Sequence, residues 1–372
     1  MRIAVPTEVK NHEYRVAVTP AGVAALVAHG HEVFIQAGAG LGSAITDADF
    51  VAQGAKIVPD AEAAWGAGDM VVKVKEPMPQ EYGFLRKDMI LFTYLHLAAE
   101  RACLDALLAA GTTAIAYETV QLPSGALPLL HPMSEVAGCL APQMGAHELM
   151  KFRGGRGVIM GGVAGVRCAN VVVLGAGVAG TNAANIAAGM GAHVTVLDTD
   201  LDKLRSAFWR MDHRVATMAS SELAIEQCCQ DADLVIGTVL VTGARAPKLV
   251  SHDLVAAMKP GSVLVDVSVD QGGCFEDSHP TTHDDPTYPV ANSTFYCVAN
   301  MPGAVPNTST WALTNATLPY AVRIADQGWR EALRRDHALA LGLNTAAGQV
   351  VHPGVASAFG LESVPVEAVL AA

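Results

Sequence analysis

Short apolar runs alternate with longer helical stretches in the first part of the chain. Five runs within about the first 125 residues have the length of β-strands: RIAVPTE, HEVFIQAG, DMVVKVKEP, MILFTYLHL and TTAIAYETV. Two of the stretches between them, PAGVAALVAHG and AERACLDALLAAG, end at Gly30 and Gly111. A glycine is common just after the last turn of a helix. This alternation predicts a parallel sheet built from βαβ units.

The alternation starts again after residue 170. Residues 132–150 are rich in alanine and predict a helix that Ser134 opens, and the glycine-rich segment RGGRGVIMGGVAG follows it. Four further runs then predict strands: AHVTVLD, ADLVIGTVL, SVLVDVSVD and TFYCVANM. The tail from about residue 308 has a helical pattern, and we expect it to pack on the first unit without a sheet of its own.

These patterns predict two Rossmann-like, doubly wound α/β domains with mostly parallel sheets, separated by an active-site cleft. One domain is discontinuous and contains residues 1–130 and 308–372. The other contains residues 131–307. A length of 372 residues is large for one hydrophobic core and fits two domains.

Composition and charge exclude several classes of protein. The chain is 51% hydrophobic and 16% charged, as a globular protein is, and its net charge of −12 comes without a long Lys/Arg cluster. Nucleic acid is therefore not an expected partner. No apolar run approaches the roughly 18 residues of a membrane span, and the N-terminus has neither a signal-peptide nor a transit-peptide pattern. We expect a cytoplasmic protein that does not bind a membrane.

The cysteines predict neither a metal site nor disulfides. There are seven of them, an odd number, and none forms a C-x-x-C pair. Cys228 and Cys229 are adjacent, which suits neither zinc nor an ordinary disulfide. Reduced thiols in a cytosolic protein are the plain interpretation.

The stretch VVVLGAGVAG, residues 171–180, carries the first specific chemistry. Gly175 follows an apolar strand and allows a tight turn, Gly177 lets the backbone approach a pyrophosphate, and Gly180 opens a helix that must pack close to the strand. The N-terminus of that helix offers unpaired N–H groups and a positive dipole end to an anion. A bare G-x-G-x-x-G is a weak signal, because the same glycines could form only a packing turn.

An acid at the end of the next strand strengthens the dinucleotide interpretation. Asp198 lies 23 residues after Gly175, where an acid that binds an adenosine ribose is expected. A carboxylate there accepts from the ribose hydroxyls of NAD and repels the 2′-phosphate of NADP. The sequence therefore predicts that residues 131–307 bind NAD.

Four charged residues at predicted strand ends are candidates for the substrate site. Arg15 precedes a helix and could hold a carboxylate through two N–H groups. Lys75 and His96 end apolar strands of the first domain, and Asp270 ends SVLVDVSVD in the second. Ligands of open α/β sheets bind beyond the carboxyl ends of the strands, so all four could converge on one cleft.

Each candidate also has an ordinary structural interpretation. Lys75 could be a solvated strand terminus, and His96 a hydrogen-bonded structural residue. Arg15 could pair with Glu13 or Glu8 on a surface turn. Asp270 could cap the turn before two glycines.

Taken together, the blocks resemble the family of NAD-dependent L-alanine dehydrogenases and the N-terminal part of transhydrogenases, over essentially the whole chain. The resemblance is carried by PTEVKNHEYRVAVTPAGV, VKVKEP, TYLHLA, GGRGVIMGGVAGV, VLGAGVAGTNAA, VLVDVSVDQGGCFE and FYCVANMPGAVPNTST, among others. It implies that Arg15 and Lys75 hold the carboxylate of L-alanine or pyruvate and that His96 and Asp270 are the catalytic pair. Domain closure would bring Asp270 to the substrate.

The resemblance also implies an NAD site. Its residues, beyond Gly175, Gly177 and Gly180, are Ser134, Val178, Ala179, Asp198, Lys203, Ser220, Val239, Leu240, Val267, Ser268, Val269, Asp270, His279, Val298, Ala299, Asn300 and Met301. His279 departs from relatives, which often have a basic residue there. Tyr94, Leu129 and Met133 are candidates for the wall around the substrate methyl group, although apolar residues at such positions are often ordinary core.

The implied reaction converts L-alanine, NAD and water to pyruvate, ammonium and NADH. Histidine suits the proton transfers because its usual pKa, about 6.5, lies near neutral pH. The family resemblance implies a homohexamer. Three other functions stay open: an NAD-binding transhydrogenase subunit, a related opine or lysine-forming dehydrogenase, and a non-catalytic NAD(H)-sensing protein.

Overall fold

The computed structural model describes residues 1–239 and 246–371. The chain divides into two compact units, Met1–Met133 with Val305–Ala372, and Ser134–Ala304. The domain boundaries that the sequence suggests, at residues 131 and 308, remain a prediction.

The described residues form the following strands, in chain order: β1 (Arg2–Val5), β2 (Glu32–Gln36), β3 (Lys56–Val58), β4 (Met70–Val72), β5 (Ile90–Thr93), β6 (Thr113–Ala116), β7 (Asn170–Leu174), β8 (His193–Asp198), β9 (Ala216–Ala219), β10 (Leu234–Gly237), β11 (Val263–Asp266), β12 (Thr287–Val290), β13 (Ser293–Tyr296), β14 (Leu343–Ala346) and β15 (Gln349–Val350).

The helices of the same residues are α1 (Pro20–Ala28), α2 (Asp47–Val51), α3 (Ala61–Ala67), α4 (Arg101–Ala110), α5 (His131–Glu148), α6 (Val178–Gly189), α7 (Leu201–Arg210), α8 (Glu222–Gln230), α9 (His252–Ala257), α10 (Pro306–Gln327), α11 (Trp329–Arg335), α12 (His337–Ala340), α13 (Pro353–Ala358) and α14 (Val366–Ala371). Short 3₁₀ helices lie at Leu41–Ser43, Pro79–Phe84, Tyr117–Thr119, Lys151–Arg153, Val269–Gln271 and Met301–Ala304.

The sheet of the first unit has the strand order β15-β14-β6-β5-β4-β1-β2-β3. The six strands β1 to β6 are all parallel, as the sequence predicts. Every residue of β4, β5 and β6 is buried, which explains their continuous apolar sequences. Chain order reverses at β1, whose neighbours are β2 and β4, so the loops after β1 and β4 start side by side. Ligands of such sheets bind at this kind of reversal.

The tail differs from its predicted form. It is mostly helical, but β14 and β15 form a hairpin that pairs antiparallel with β6 and extends the first sheet. Strand β14 was not predicted because its polar residues Asn344 and Thr345 interrupt the apolar run. Both are buried, and Thr345 Oγ1 donates to the Thr112 carbonyl at 3.1 Å. Ala347 and Gly348 both have positive φ, as a two-residue hairpin turn with the twist of the strands requires.

The sheet of the second unit has the order β12-β13-β11-β10-β7-β8-β9, and only its edge strand β12 is antiparallel. The mostly parallel doubly wound plan is therefore confirmed in both units, and the order here reverses at β7. Val171 and Val173 pack on one face with alanines of α6, while Val172 and Leu174 pack on the other with α8. One helix boundary was wrong: α5 begins at His131 rather than at Ser134.

The seven cysteines are all free thiols. In the described part of the chain, no helix is both long and apolar enough to cross a bilayer. Among these same residues, no group of three His, Cys, Asp or Glu side chains is arranged to hold a metal ion.

Candidate functional site

Arg15, Lys75 and His96 lie at the same edge of the first sheet. Lys75 and His96 come three residues after the last residues of β4 and β5, and Arg15 lies in the loop between β1 and α1. Since β4 pairs with both β1 and β5, their carboxyl ends meet at one edge. The charges of Lys75 and Arg15, together with that of Lys10, act on the His96 imidazole. The structure thus brings these three predicted residues together.

Arg15 is buried against a carboxylate of its own loop. Its Nε and Nη2 donate to the two oxygens of Glu13 at 2.6 and 2.5 Å, and Nη1 contacts Met133 Sδ at 2.8 Å. The sequence left open a pairing with Glu13 on a surface turn. The pair does form, but both side chains are buried, at 1% and 0% exposure. Glu13 therefore occupies the Nε–Nη2 edge of Arg15.

Two lysines follow β4, and both are buried. Lys73 Nζ donates to Glu8 at 3.1 Å and to Glu81 at 2.9 Å, so its charge is used within the fold. Glu8 also accepts from the backbone N–H of Val74 at 2.6 Å and, more weakly, from that of Lys75 at 3.4 Å. Lys75 is 7% exposed, so the alternative of a solvated strand terminus does not describe it.

His96 has a restrained backbone and an uncharged ring at neutral pH. Its φ is +49°, in the left-handed region that a residue with a Cβ rarely adopts. Its N–H donates to Glu118 Oε1 at 2.7 Å. Burial first, and then the charges of Lys75, Lys10 and Arg15, lower the pKa of His96 well below 6.5. A neutral imidazole at the end of a strand can accept a proton.

The three candidates for the substrate wall lie next to these groups. The Tyr94 ring is parallel to the His96 ring within 7°, with 5.8 Å between centroids. The Tyr94 hydroxyl donates to the Leu129 carbonyl at 2.5 Å, and burial raises the pKa of this phenol. Met133 contacts Arg15. Tyr94, Leu129 and Met133 are all buried, so they form an apolar side to the cationic cluster.

The glycine loop in the second unit has the geometry of a dinucleotide turn. Gly175 follows β7 with φ +105°, and Gly177 is the residue before α6. Gly180 lies in the first turn of α6 rather than at its opening. A Cβ on Gly180 would lie 1.8 Å from the Gly175 carbonyl oxygen, so no side chain fits there. Thr238 Oγ1 donates to the carbonyls of Leu174 and Gly175 at 2.9 and 3.1 Å and fixes the turn.

Asp198 ends β8 beside this turn. Its Oδ2 accepts from Ala176 N–H at 2.7 Å and its Oδ1 from Asp200 N–H at 2.9 Å. Each carboxylate oxygen has a second lone pair, so both can still accept from ribose hydroxyls. The first N–H groups of α6 have no acceptor within the helix itself, as at every helix N-terminus. The site therefore combines a tight glycine turn, a helix N-terminus and a carboxylate, which together fit an adenine dinucleotide.

Val178 and Ala179 lie in the first turn of α6. Most of the other predicted cofactor residues follow the parallel strands of the second sheet or lie on helices α5 and α7. Ser220 follows β9, Val239 follows β10, Val267 to Asp270 follow β11, and Val298 to Met301 follow β13. Ser134 lies in α5, and Lys203 lies in α7 with Nζ 3.9 Å from Asp200 Oδ2. His279 is exposed and stacks on Tyr288 at 3.7 Å. Leu240 lies outside the described residues.

Asp270 is exposed in the second unit, on a loop that a buried carboxylate holds. Asp266, at the end of β11, accepts from the N–H groups of Ser268 and Cys274, each at 2.9 Å, and from Ser278 Oγ at 2.5 Å. Burial raises the pKa of Asp266 despite these hydrogen bonds. The segment carrying Asp270 is therefore internally fixed.

Sequence reasoning missed the residues that hold the predicted site in place: Glu8, Glu118, Thr238 and Asp266. Each is an acidic or hydroxyl side chain at or just after the end of an apolar strand. That position was visible in the sequence, but the groups to which each side chain would bond were not: N–H groups for the carboxylates and carbonyls for Thr238.

Two family models cover most of the chain. The N-terminal domain of alanine dehydrogenase/PNT matches residues 4–137, and the C-terminal domain of alanine dehydrogenase/PNT matches residues 141–353. An alanine dehydrogenase of Mycobacterium tuberculosis (strain CDC 1551 / Oshkosh) is 62% identical over 371 residues, which cover 100% of each chain.

Solved structures agree with these matches. An L-alanine dehydrogenase superposes with a TM-score of 0.93 at 52% identity, over 97% of this chain and 99% of that one. A transhydrogenase from Sinorhizobium meliloti superposes with a TM-score of 0.79 at 25% identity, over 95% of this chain and 99% of that one.

Proposed function

The chain belongs to the alanine dehydrogenase/PNT family, and we propose that it catalyses the reversible oxidative deamination of L-alanine to pyruvate and ammonium with NAD. The observation that carries the proposal is the cluster at one edge of the first sheet. Two buried cations, Arg15 and Lys75, lie close enough to a neutral histidine to depress its pKa. Such a cluster suits a small substrate with a carboxylate next to the reacting carbon.

Arg15 and Lys75 bind the substrate carboxylate in this proposal. Two cations on one carboxylate restrict the rotation of a three-carbon acid and so fix the orientation of its Cα hydrogen. Tyr94, Leu129 and Met133 leave an apolar side for the methyl group. We expect L-alanine to be preferred to the larger substrates of opine and lysine-forming dehydrogenases.

His96 is the general acid and base of the proposed reaction, and Asp270 assists it. NAD, held by the glycine turn and Asp198, would supply the acceptor for the hydride of Cα. The neutral imidazole of His96 then takes a proton from the water that attacks the iminium carbon. Asp270 orients that water and stabilises the cationic nitrogen. The carbinolamine then collapses: protonated His96 returns its proton to nitrogen, the C–N bond breaks, and the hydroxyl proton passes back to His96 as the carbonyl forms, leaving with the amine as ammonium.

The glycine turn and Asp198 would hold the cofactor. The N-terminus of α6 offers N–H groups to the pyrophosphate, and the Asp198 carboxylate accepts from the ribose hydroxyls. Its negative charge disfavours a 2′-phosphate, which supports NAD over NADP. The remaining contacts are those expected from the family, including Ser134, Lys203 and His279.

We further propose a cytoplasmic homohexamer with no nucleic-acid or membrane partner. Four apolar side chains on residues 152–166 are at least 62% exposed, and burying them between copies would remove this surface from water. The free cysteines support a reducing compartment. Light scattering should give about 230 kDa for six copies of the 38.6 kDa chain. A mass of one or two chains would refute the hexamer.

The function is tested by following NADH absorbance with purified protein. Oxidation of NADH should require both pyruvate and ammonium. His96→Ala should lower kcat at least about 100-fold, the low end for general acid–base catalysis, with NADH affinity unchanged within twofold. His193→Ala, an exposed histidine at the start of β8, is the matched control and should retain full activity. Pyruvate-dependent turnover by His96→Ala near the wild-type rate would remove the proposed role of His96.

The transhydrogenase likeness gives a second candidate, because that structure superposes over 95% of this chain. A subunit of that kind would pass hydride to a partner's NADP and would need no amino acid. NADH oxidation that proceeds without pyruvate and ammonium, when a second nucleotide is supplied, would favour it. Cofactor binding with no turnover under any of these conditions would favour the non-catalytic NAD(H)-sensing alternative.

A further inference from the structure

We propose that Glu118 is a positioning residue for His96: its carboxylate holds the backbone turn that presents the imidazole at the edge of the first sheet. This inference rests on the proposed function only where it concerns turnover. It concerns a residue outside the site predicted from the sequence.

Glu118 reaches His96 from the neighbouring strand. It lies in the 3₁₀ turn Tyr117–Thr119 that follows β6, and β6 pairs in parallel with β5. Both chain segments therefore leave the sheet at the same edge. Glu118 Oε1 accepts from the N–H of His96 at 2.7 Å, and the N–H of Leu95 lies 3.2 and 3.3 Å from its two oxygens.

These hydrogen bonds stabilise the backbone at His96, where the conformation is strained. His96 has φ +49°, and a residue with a Cβ keeps that conformation only where surrounding contacts fix it. Two consecutive N–H groups converge on one carboxylate just before the left-handed residue. Without that acceptor, the 94–96 segment would relax toward extended backbone and rotate the His96 side chain away from its present direction.

The ring itself is guided by a second contact. The Tyr94 ring lies parallel to the imidazole, and its hydroxyl is fixed on the Leu129 carbonyl. Glu118 therefore fixes the backbone while Tyr94 limits rotation of the side chain. Glu118 acts through the His96 backbone and does not need to touch the substrate.

The geometry of Glu118, with both oxygens close to backbone N–H groups, is that of a carboxylate accepting hydrogen bonds. Lys75, Lys10 and Arg15 act on the imidazole from the loops after β4 and β1. Burial, the largest effect, raises the pKa of Glu118 above its usual range, and the backbone N–H bonds and the charge of Lys75 offset this rise only in part. An ionised carboxylate accepts from several N–H groups at once, which a protonated one does less well.

Three variants of the full-length protein separate positioning from folding. Glu118→Ala removes the acceptor, and Glu118→Gln keeps one amide oxygen for the His96 N–H. Asp233→Asn is the control, because Asp233 is likewise a carboxylate that accepts a backbone N–H, that of Asn170 at 2.9 Å, although it also pairs with Arg156. It lies outside the cluster around His96.

We expect kcat to fall at least 30-fold in Glu118→Ala, with the KM for pyruvate and the Kd for NADH within threefold of wild type. Glu118→Gln should recover a substantial part of kcat, and Asp233→Asn should keep it. A merely structural role would lower active protein and cofactor affinity together and would give no recovery with Gln. A kcat of Glu118→Ala within threefold of wild type would overturn the proposal.

A chemical readout works even if the protein has no alanine dehydrogenase activity. Diethyl pyrocarbonate modifies neutral imidazoles, and the rate at His96 can be followed by mass spectrometry of its peptide. Release of the 94–96 turn should speed modification of His96 at least threefold in Glu118→Ala and leave other histidines unchanged. An unaltered rate at His96 would overturn the positioning role, whereas an inactive wild-type enzyme would refute only the proposed function.

Discussion

The buried pair between Glu13 and Arg15 allows a quantitative test of the predicted substrate site. Glu13→Ala removes the carboxylate that accepts from Nε and Nη2 of Arg15 at 2.6 and 2.5 Å. The Arg15 guanidinium then loses a two-point ionic contact while it stays buried. The change leaves Lys75 and His96 in place, so it tests how the cationic cluster is stabilised.

The expected cost follows from burial. Side-chain exposure is 1% for Arg15 and 0% for Glu13, and removing one partner of a buried pair costs about 3–5 kcal/mol. The pair Arg2–Asp69 has a similar distance, 2.6 Å, but exposures of 52% and 40%. Asp69→Ala is therefore the matched control and should cost about 0–1 kcal/mol.

Urea unfolding followed by tryptophan fluorescence measures the difference. With a slope of about 3 kcal/mol per molar urea, the upper end for small proteins, Glu13→Ala should lower the midpoint by about 1–2 M. Asp69→Ala should lower it by about 0.3 M or less. If the urea midpoint of Glu13→Ala is as high as that of Asp69→Ala, burial does not increase the contribution of the Glu13–Arg15 pair to stability. Glu13→Gln, which keeps an oxygen acceptor, should lie between the two.

The remaining predictions concern pH and the glycine turn. Because the pKa of His96 lies well below 6.5, kcat/KM for L-alanine should fall through His96 protonation only well below pH 6.5. Lys10→Met removes one of the cations that contribute to this low pKa, so the fall in kcat/KM should move to higher pH. A fall at or above pH 6.5 in the wild-type enzyme would contradict the shift. Gly180→Ala places a Cβ 1.8 Å from the Gly175 carbonyl oxygen and should weaken NADH binding at least about 100-fold in a fluorescence titration. Gly189→Ala in the same helix meets nothing within 4 Å and should bind normally, so equal affinities in the two variants would refute the steric argument.

Much of the fold was accessible from the sequence because its signals are local. Buried parallel strands give uninterrupted apolar runs, so the five strands β1, β2, β4, β5 and β6 were all predicted. The spacing of Gly175, Gly177 and Gly180 is equally local. The strands β3 and β9 were missed because they lie at the edges of their sheets and are exposed or half-buried, so neither gives an apolar run.

The contacts around the candidate site were less accessible because they join distant segments. The sequence placed Arg15 at a strand end and allowed a pairing with Glu13, but whether that pair is buried depends on the packing of β1 against its neighbours. Lys73 and Glu8 are 65 positions apart and form an internal ion pair. A charged residue in an apolar run gives no indication of which partner will neutralise it.

The pairing of β14 with β6 has a consequence for synthesis on the ribosome. Leu343 and Thr345 lie opposite Ile115 and Ala114, so the first sheet cannot be completed until nearly the whole polypeptide has emerged. Residues 134–304 contain every strand of their own sheet and are available for folding earlier. Until the last segment arrives, β6 presents an open strand edge to other chains, which makes premature termination near the C-terminus a route to aggregation.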